Sequence, residues 1–351
     1  MPPIILEQAL YLRPDREQPR LVARSAGFDG AWFPEAERLT LGFGARRGGI
    51  LCPLTVFAKP ISKKHVAVVH VVDENPTFPK GLRFHFLVVD KKTYEFSIRD
   101  PFMLAAKVEP TWDAVDMLPA LTIPETTFAP RTVAQVQEVL KRIKAAALRE
   151  GEDPEAPDFE RTAENSESPA LLGGAQILVD GGRLAFERSE GDLRMVAGLW
   201  LLLPEATRVR LWPTSFAFSQ DLEFDVLVVP QLDEMELEGY TAEEQAADYP
   251  AGAYELALQR AAEAGDQKEL DAVFSKRDGW QTLRLALMII VLVSSLVLVS
   301  RWLEPDPISE RQQKVAAAVG IVAVGEPWTA LGMVIHGKTL WNKEEAARVQ
   351  K

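Results

Sequence analysis

The chain has a single cysteine, Cys52, among its 351 residues. A lone thiol cannot close an internal disulfide or build a thiolate metal centre, so the expected setting is a reducing compartment. Positive charge is also scarce: 39 Lys and Arg face 51 Asp and Glu, and the formal charge of -12 argues against nucleic acid as a partner, because phosphate binding needs clustered bases. Motifs of covalent catalysis are missing too. The chain contains no Gly-x-Ser-x-Gly, and no pair of acids is singled out by its spacing as acid and base. The start, MPPIILEQALYLRPDRE, has no basic leader and only a short apolar run, so the N-terminal region is expected to stay in the cytoplasm.

One glycine-rich stretch invites a nucleotide reading: GFGARRGG, Gly42 to Gly49. A dinucleotide loop would need a third glycine where Arg47 stands, and a phosphate loop would need Gly-Lys-Ser or Gly-Lys-Thr, which does not follow. The plainer expectation is a turn between two strands, its glycines taking positive φ and Arg46 and Arg47 lying on an exposed tip. Those two arginines remain candidates for an anion contact.

What is present divides the chain into regions. Residues 1–149 read as a sheet-rich lobe ending in a helix. HVAVVHVVD (His65–Asp73) and LRFHFLVVD (Leu82–Asp90) form an antiparallel pair, with ILCPLTVFA as a further strand. In RTVAQVQEVLKRIKAAALRE, Val133, Val136, Leu140, Ile143 and Ala147 recur at three- and four-residue spacing, and Thr132 with Gln135 supplies a capping box, which predicts an amphipathic helix. Residues 150–169 form an acidic linker: eight acids against Arg161 hold seven of the twelve excess negative charges. Residues 170–239 read as a second sheet-rich lobe, with Asp180, Gly181 and Gly182 as a hairpin turn. Residues 240–279 read as a helical hairpin, with capping boxes at Thr241/Glu244 and Asp266/Glu269 and a stop at Gly265.

The strongest signal lies at 282–303, TLRLALMIIVLVSSLVLVSRWL, which carries no charge between Arg284 and Arg301. At about 1.5 Å per residue a helix of this length reaches roughly 33 Å, enough to cross a hydrocarbon core of about 30 Å. Trp280 and Trp302 bracket it as interfacial anchors, and Arg284 and Arg301 can snorkel. A second run, 315–335, is long enough to cross but holds Glu326 and Pro327. It is compatible with a second span, which would make Glu326 an intramembrane candidate, and equally with an interfacial segment. Lys268, Lys276, Arg277 and Arg284 before the first span, against Arg301, Arg311 and Lys314 after it, favour a cytoplasmic N-terminal side by one charge. The fold class expected is therefore α+β: two sheet-rich cytoplasmic lobes, a helical hairpin and a C-terminal transmembrane region.

His65, His70 and His85 with Cys52, Asp73 and Asp90 are the one imaginable metal set. If the hairpin pairs residue 73 with residue 82, His70 falls opposite His85 on one side of the sheet while His65 faces the other; a register different by one residue separates His70 from His85. Packed strand histidines are the reading adopted, with no metal and no cofactor expected. Cys52 beside Pro53 reads as a small buried hydrophobe.

RLVARSAGFDG, GFGARRGGILCP, FHFLVVD, DPF and LWLLLPEATRVRLWPTSFAF together resemble the N-terminal and middle regions of bacterial GTPase-associated proteins, and the chain is equally similar to a planctomycete type of membrane protein. The first resemblance implies a non-catalytic partner of a GTPase and brings no catalytic residues with it. The function expected is that of a membrane-anchored, non-enzymatic interaction or regulatory protein at the cell membrane, its partners being a lipid bilayer and a protein, with a GTPase implied by the resemblance. The alternative is a membrane-bound enzyme with a site near Arg46, Arg47, His70 and His85.

Overall fold

The computed structural model describes residues 3–15, 17–46, 49–74, 81–112, 117–150, 168–231, 238–275, 287–296 and 299. The chain separates into two units, Met1–Gly279 and Trp280–Lys351.

In the first unit the strands β1 (Ile4–Pro14) and β2 (Arg20–Arg24) are followed by the helix α1 (Phe33–Gly42) and the strands β3 (Thr55–Pro60), β4 (His65–Asp73) and β5 (Gly81–Asp90). A short turn, α2 (Lys91–Thr93), runs into a π-helical turn at Tyr94–Ile98, and then come α3 (Pro101–Lys107), β6 (Leu121–Ile123) and the long helix α4 (Val133–Glu150). The remainder is α5 (Leu171–Val179), β7 (Leu184–Glu187), α6 (Leu193–Leu202), α7 (Glu205–Arg208), β8 (Val226–Val229), β9 (Thr241–Ala242), α8 (Glu243–Ala247), α9 (Ala253–Ala264) and α10 (Gln267–Phe274). The class is α+β. An antiparallel sheet ordered β2-β1-β5-β4-β3, with β6 also paired to β1, accompanies a small parallel sheet ordered β8-β7-β9.

Strand parity builds the core. Tyr11, Phe84 and Val71 are direct neighbours across β1, β5 and β4, and Ala9, Phe86, Val69 and Phe57 form the next rung on the same face. All of these are buried, and Phe43 packs against Phe57 and Phe84 at centroid distances of 5.8 and 5.5 Å. The same apolar cluster continues through α5, α6, β8 and α9 to Phe274. Residues 213–216 bind the free edge of β3: Val56 N–H donates to Ser215 Oγ at 2.9 Å and Ser215 N–H to Val56 O at 3.0 Å. The regions on either side of the acidic run therefore share one core.

The helix α4 forms as its spacing predicts. Val133, Val136, Val139, Leu140 and Ile143 are buried, Ala147 is exposed, and Thr132 and Gln135 exchange both capping bonds, at 2.9 and 3.3 Å. Gly265 ends α9 at φ 69, and Asp266 caps α10 through Lys268 N–H at 2.8 Å. At 241–247 the cap sits one residue later than expected: Ala242 N–H donates to Gln245 Oε1 at 3.2 Å, and Thr241 belongs to β9.

Two expectations are corrected. The stretch Ala175–Val179 is not the first arm of a hairpin but the end of α5, and β7 after it pairs in parallel with β8. A short helix covered on all sides and a buried strand both read as continuous apolar runs, and α5 is buried at every position from Gly173 to Leu178. A Cβ at Gly173 would stand 2.0 Å from Ala246 O, so glycine lets α8 approach closely. Among the described residues of 170–239 helix outweighs strand, so the region is not sheet-rich. Likewise, GFGARRGG joins a helix to a strand and not two strands, because Leu39–Gly42 close α1. Gly44 and Gly49 do take positive φ, 95 and 84.

The boundary at 150–169 and the membrane expectations fall largely outside the described residues. Within 282–303, residues 287–296 and 299 are helical and exposed, whereas 282–286, 297–298 and 300–303 are outside the description. Among the described residues no helix is long and apolar enough to cross a membrane.

Gly44 and Gly49, the positive-φ glycines between α1 and β3 among the described residues, predict unequal costs. A Cβ on Gly44 would lie 2.6 Å from Ser219 N and 2.7 Å from Phe218 C, whereas a Cβ on Gly49 meets nothing within 4 Å. Gly44→Ala is expected to lose about 3 kcal/mol and Gly49→Ala about 1 kcal/mol, read as the difference in urea unfolding midpoints. Equal losses would show that the close approach at Gly44 has no energetic weight.

Candidate functional site

The face of the large sheet opposite the phenylalanines carries most of the polar chemistry. Across one rung lie Ala23, Leu10, His85, His70 and Val56; across the rung beside it lie Arg20, Leu12, Arg83 and Val72; Gln8, Leu87 and Val68 complete a third. This face is covered by α3 and by Trp112, Leu118 and Pro119. Leu10, Ala23 and Leu118 form a second, small apolar cluster there, with Val22 and Trp112 packed against it.

His70 and His85 meet as the hairpin register requires. Asp73 pairs with Leu82 and His70 with His85, and the imidazoles stack at 5.9 Å between centroids with an interplanar angle of 15°. Both are buried, at 2% and 0% exposure. His70 Nε2 lies 3.3 Å from Ala105 O and His85 Nε2 lies 2.8 Å from Gln8 Oε1. Gln8 Nε2 in turn donates to Pro119 O at 2.6 Å, which fixes the amide and leaves Oε1 to accept from His85. Each ring is therefore the neutral Nε2–H tautomer, and each Nδ1 is a buried acceptor with no partner among the described residues. Burial holds the His70 pKa down at about 4, against the small opposing effect of the Ala105 carbonyl. Burial, and then His70 itself, hold His85 at about 3. His65 faces the other side, against Trp32 at 4.7 Å, with Nδ1 3.0 Å from Ser62 Oγ. Among the described residues no three His, Cys, Asp or Glu come together as metal ligands.

Arg46 is not on an exposed tip. Its guanidinium lies 3.7 Å from Asp15 Oδ2 and donates to Ile50 O at 3.4 Å, and only 13% of its side chain is exposed. The loop leaves the C-terminal end of α1, where carbonyls rather than N–H groups are unpaired, so it lacks the polarity that draws phosphate to a helix start. Those carbonyls are taken by Arg13, which donates to Thr40 O at 2.6 Å, to Leu41 O at 3.2 Å and to Gly44 O. Cys52 is buried and its N–H donates to Asp73 Oδ2 at 2.7 Å; burial, then the Asp73 charge, push its thiol pKa up, away from the reactive thiolate. Asp73 shares its sheet face with Arg13, the face opposite His70 and His85. Of the residues grouped as an enzymatic alternative, His70 and His85 come together, while Arg46 is engaged with Asp15 and Ile50 O. Arg47 and Glu326 lie outside the described residues, as do Trp280, Arg284, Arg301 and Trp302.

Beside the histidine rung opens a cleft of about 460 Å³, with Leu10, Leu12, Val22 and Trp112 among its walls and Arg20, Arg83 and Glu74 at its polar positions. Arg83 Nη1 donates to Trp112 O at 2.8 Å, and Trp112 meets the His85 ring edge-on at 6.3 Å. The sequence reading missed Arg20, Arg83 and Trp112. Parity on β5 places Arg83 on the face of His85, two residues away, but Arg20 joins them only through β1.

No protein-family model matches the chain, and no curated protein matches it in sequence.

The depressed histidine pKa values give a pH dependence whose sign is fixed. Between about 6.5, where an unfolded histidine titrates, and about 4, the unfolded chain binds protons that folded His70 and His85 exclude, so stability falls as pH falls. The loss is on the order of 3 kcal/mol per histidine across that window. Unfolding free energy measured from pH 7 to pH 4 should drop more steeply for the native chain than for His70→Asn/His85→Asn; parallel slopes would mean that the pair is not held neutral.

Proposed function

We propose that this protein is a membrane-anchored, non-enzymatic interaction module, which presents its α+β unit to a protein partner from the cytoplasmic side of the cell membrane. The observation that carries the anchor is the run 282–303. Its uncharged length suits a bilayer, and the described part of it leaves every large apolar side chain from Leu287 to Val293 between 50% and 63% exposed, with Leu296 at 62%. Leaving such side chains in water forgoes about 1.5–3 kcal/mol each, and lipid supplies what water does not. Trp280, Arg284, Arg301 and Trp302 would then hold the span at the two interfaces. The one-charge bias supports the cytoplasmic orientation.

The interaction role rests on the chemistry of the module. The stacked histidines are buried and neutral, Cys52 is buried beside a carboxylate, and Arg46 is engaged with Asp15. A GTPase is the partner class that the sequence resemblance implies. Whether 315–335 crosses as well, with Glu326 inside the bilayer, is a separate proposal that labelling of single cysteines before Trp280 and after Lys338 would decide.

Fractionation tests the anchor. The full chain should remain in the membrane pellet through alkaline carbonate extraction. Ile290→Lys together with Val291→Lys, at about 2.5–3.5 kcal/mol each near the centre of a span, should move it to the supernatant. A full chain that stays monodisperse after a high-speed spin without detergent sinks the proposal. Cross-linking before extraction should recover the same protein partner in repeated preparations.

A further inference from the structure

The outer face of the large sheet offers a binding site that depends on neither the membrane anchor nor a GTPase. Arg20 on β2 and Arg83 on β5 both stand directly opposite Leu12 of β1, so they flank it on the same face. Two strand spacings put their backbones about 10 Å apart, a gap that two arginine side chains close over a central leucine. Arg83 is tied by one hydrogen bond to Trp112 O, which fixes its position and leaves most of its donors, while Arg20 is exposed and makes no ion pair among the described residues. The cleft of about 460 Å³ opens over this rung and the next. Leu10 and Leu12 form its floor, with Val22 and Trp112 as walls.

We propose that this cleft binds a small amphipathic carboxylate, its single negative charge held between Arg20 and Arg83 and its apolar body lying on Leu12, Val22 and Trp112. The volume is that of a small-molecule site, and the lining is about half polar and half apolar, which suits a ligand with a charged head and an apolar body. Planar guanidinium forks suit a carboxylate. With Glu74 also lining the cleft, the two arginines leave one net positive charge, which matches a singly charged head better than a dianion. The backbone oxygen that anchors Arg83 belongs to Trp112, and Trp112 borders His85. A ligand that seats against the indole therefore presses on the buried histidine pair as well.

Titration calorimetry on the full chain, reconstituted in nanodiscs of zwitterionic lipid, with octanoate, 1-octanol and octylammonium as probes, tests this. Octanoate should bind saturably at one site per chain, 1-octanol about tenfold more weakly or worse, and octylammonium not at all. Arg83→Gln and Arg20→Gln should each weaken octanoate about tenfold, and Arg20→Lys should restore part of the loss. Arg20 is exposed, so its replacement leaves the fold intact even if Arg83→Gln disturbs Trp112. No saturable uptake of octanoate overturns the proposal. So does equal affinity for octanoate and octanol, or native affinity in the Arg20→Gln/Arg83→Gln chain. A positive result in a chain that fails carbonate extraction would leave this site standing and the membrane anchor rejected.

Discussion

The register between β1 and β5 is the constraint on which the rest depends. These strands pair over eight consecutive positions, Glu7 with Val88 through Pro14 with Gly81, and parity sends every second residue to the same face. A slip of one residue would place Arg83 and His85 where Phe84 and Phe86 now pack. Tyr11, Phe84 and Phe86 are fully buried, and burying each is worth on the order of 2–3 kcal/mol, so the aromatic face pins the register many times over. The opposite face inherits its arrangement from that choice. His70 meets His85, and Arg20 and Arg83 straddle Leu12, because the phenylalanines leave those strands no other alignment.

Buried arginines fasten the helices to this frame, and they do so by one recurring device. Arg13 from β1 donates to the carbonyls that close α1, and Arg131 donates to Leu201 O at 2.8 Å and Leu203 O at 2.5 Å where α6 ends, with the Phe274 ring 3.5 Å from its guanidinium carbon. A helix C-terminus carries unpaired carbonyls and partial negative charge, and a forked cation satisfies two of them at once, which the compact ammonium of lysine does less well. The cost is desolvation. Burial, and then Arg208, hold the Arg131 pKa down at about 9. Arg208 is itself buried and paired with Asp100, whose other oxygen accepts from Phe102 and Met103 at 2.9 and 3.0 Å to start α3. Removing Asp100 would leave a buried cation and an uncapped helix together, so that pair joins the two halves of the unit more firmly than its single contact implies.

Local features were legible in the sequence and non-local ones were not. The hairpin of β4 and β5 could be read as a pair of antiparallel strands, but its register was open by a residue, and the His70–His85 pair followed only once Asp73 was seen opposite Leu82. The helix α4 was legible from its three- and four-residue spacing and its capping box. By contrast α1, FPEAERLTLG, mixes Pro, Thr and Gly with few apolar residues, and its last turn was absorbed into a supposed strand turn. In α5 burial on every side erased the periodicity that distinguishes helix from strand. The cleft was illegible for another reason: Arg20, Leu12 and Arg83 become neighbours only once β1 has paired with both β2 and β5, and β5 lies some seventy residues away. The arginine caps look in the sequence like ordinary surface arginines.

The distribution of exposed apolar side chains separates the two units by kind. In residues 1–279 the large exposed ones stand at scattered positions, Ile5, Leu41, Phe96 and Leu256 among them, as is normal where polar surface cannot cover a whole molecule. From Leu287 to Val293 they are consecutive, and a helix that is apolar around its whole circumference has no polar side to turn to water. A helix packed on a protein core needs only one apolar stripe; one that meets the same solvent on every side needs none of its faces to differ. Among the described residues, the unbroken run Leu287 to Val293 is the observation on which the proposed anchor rests.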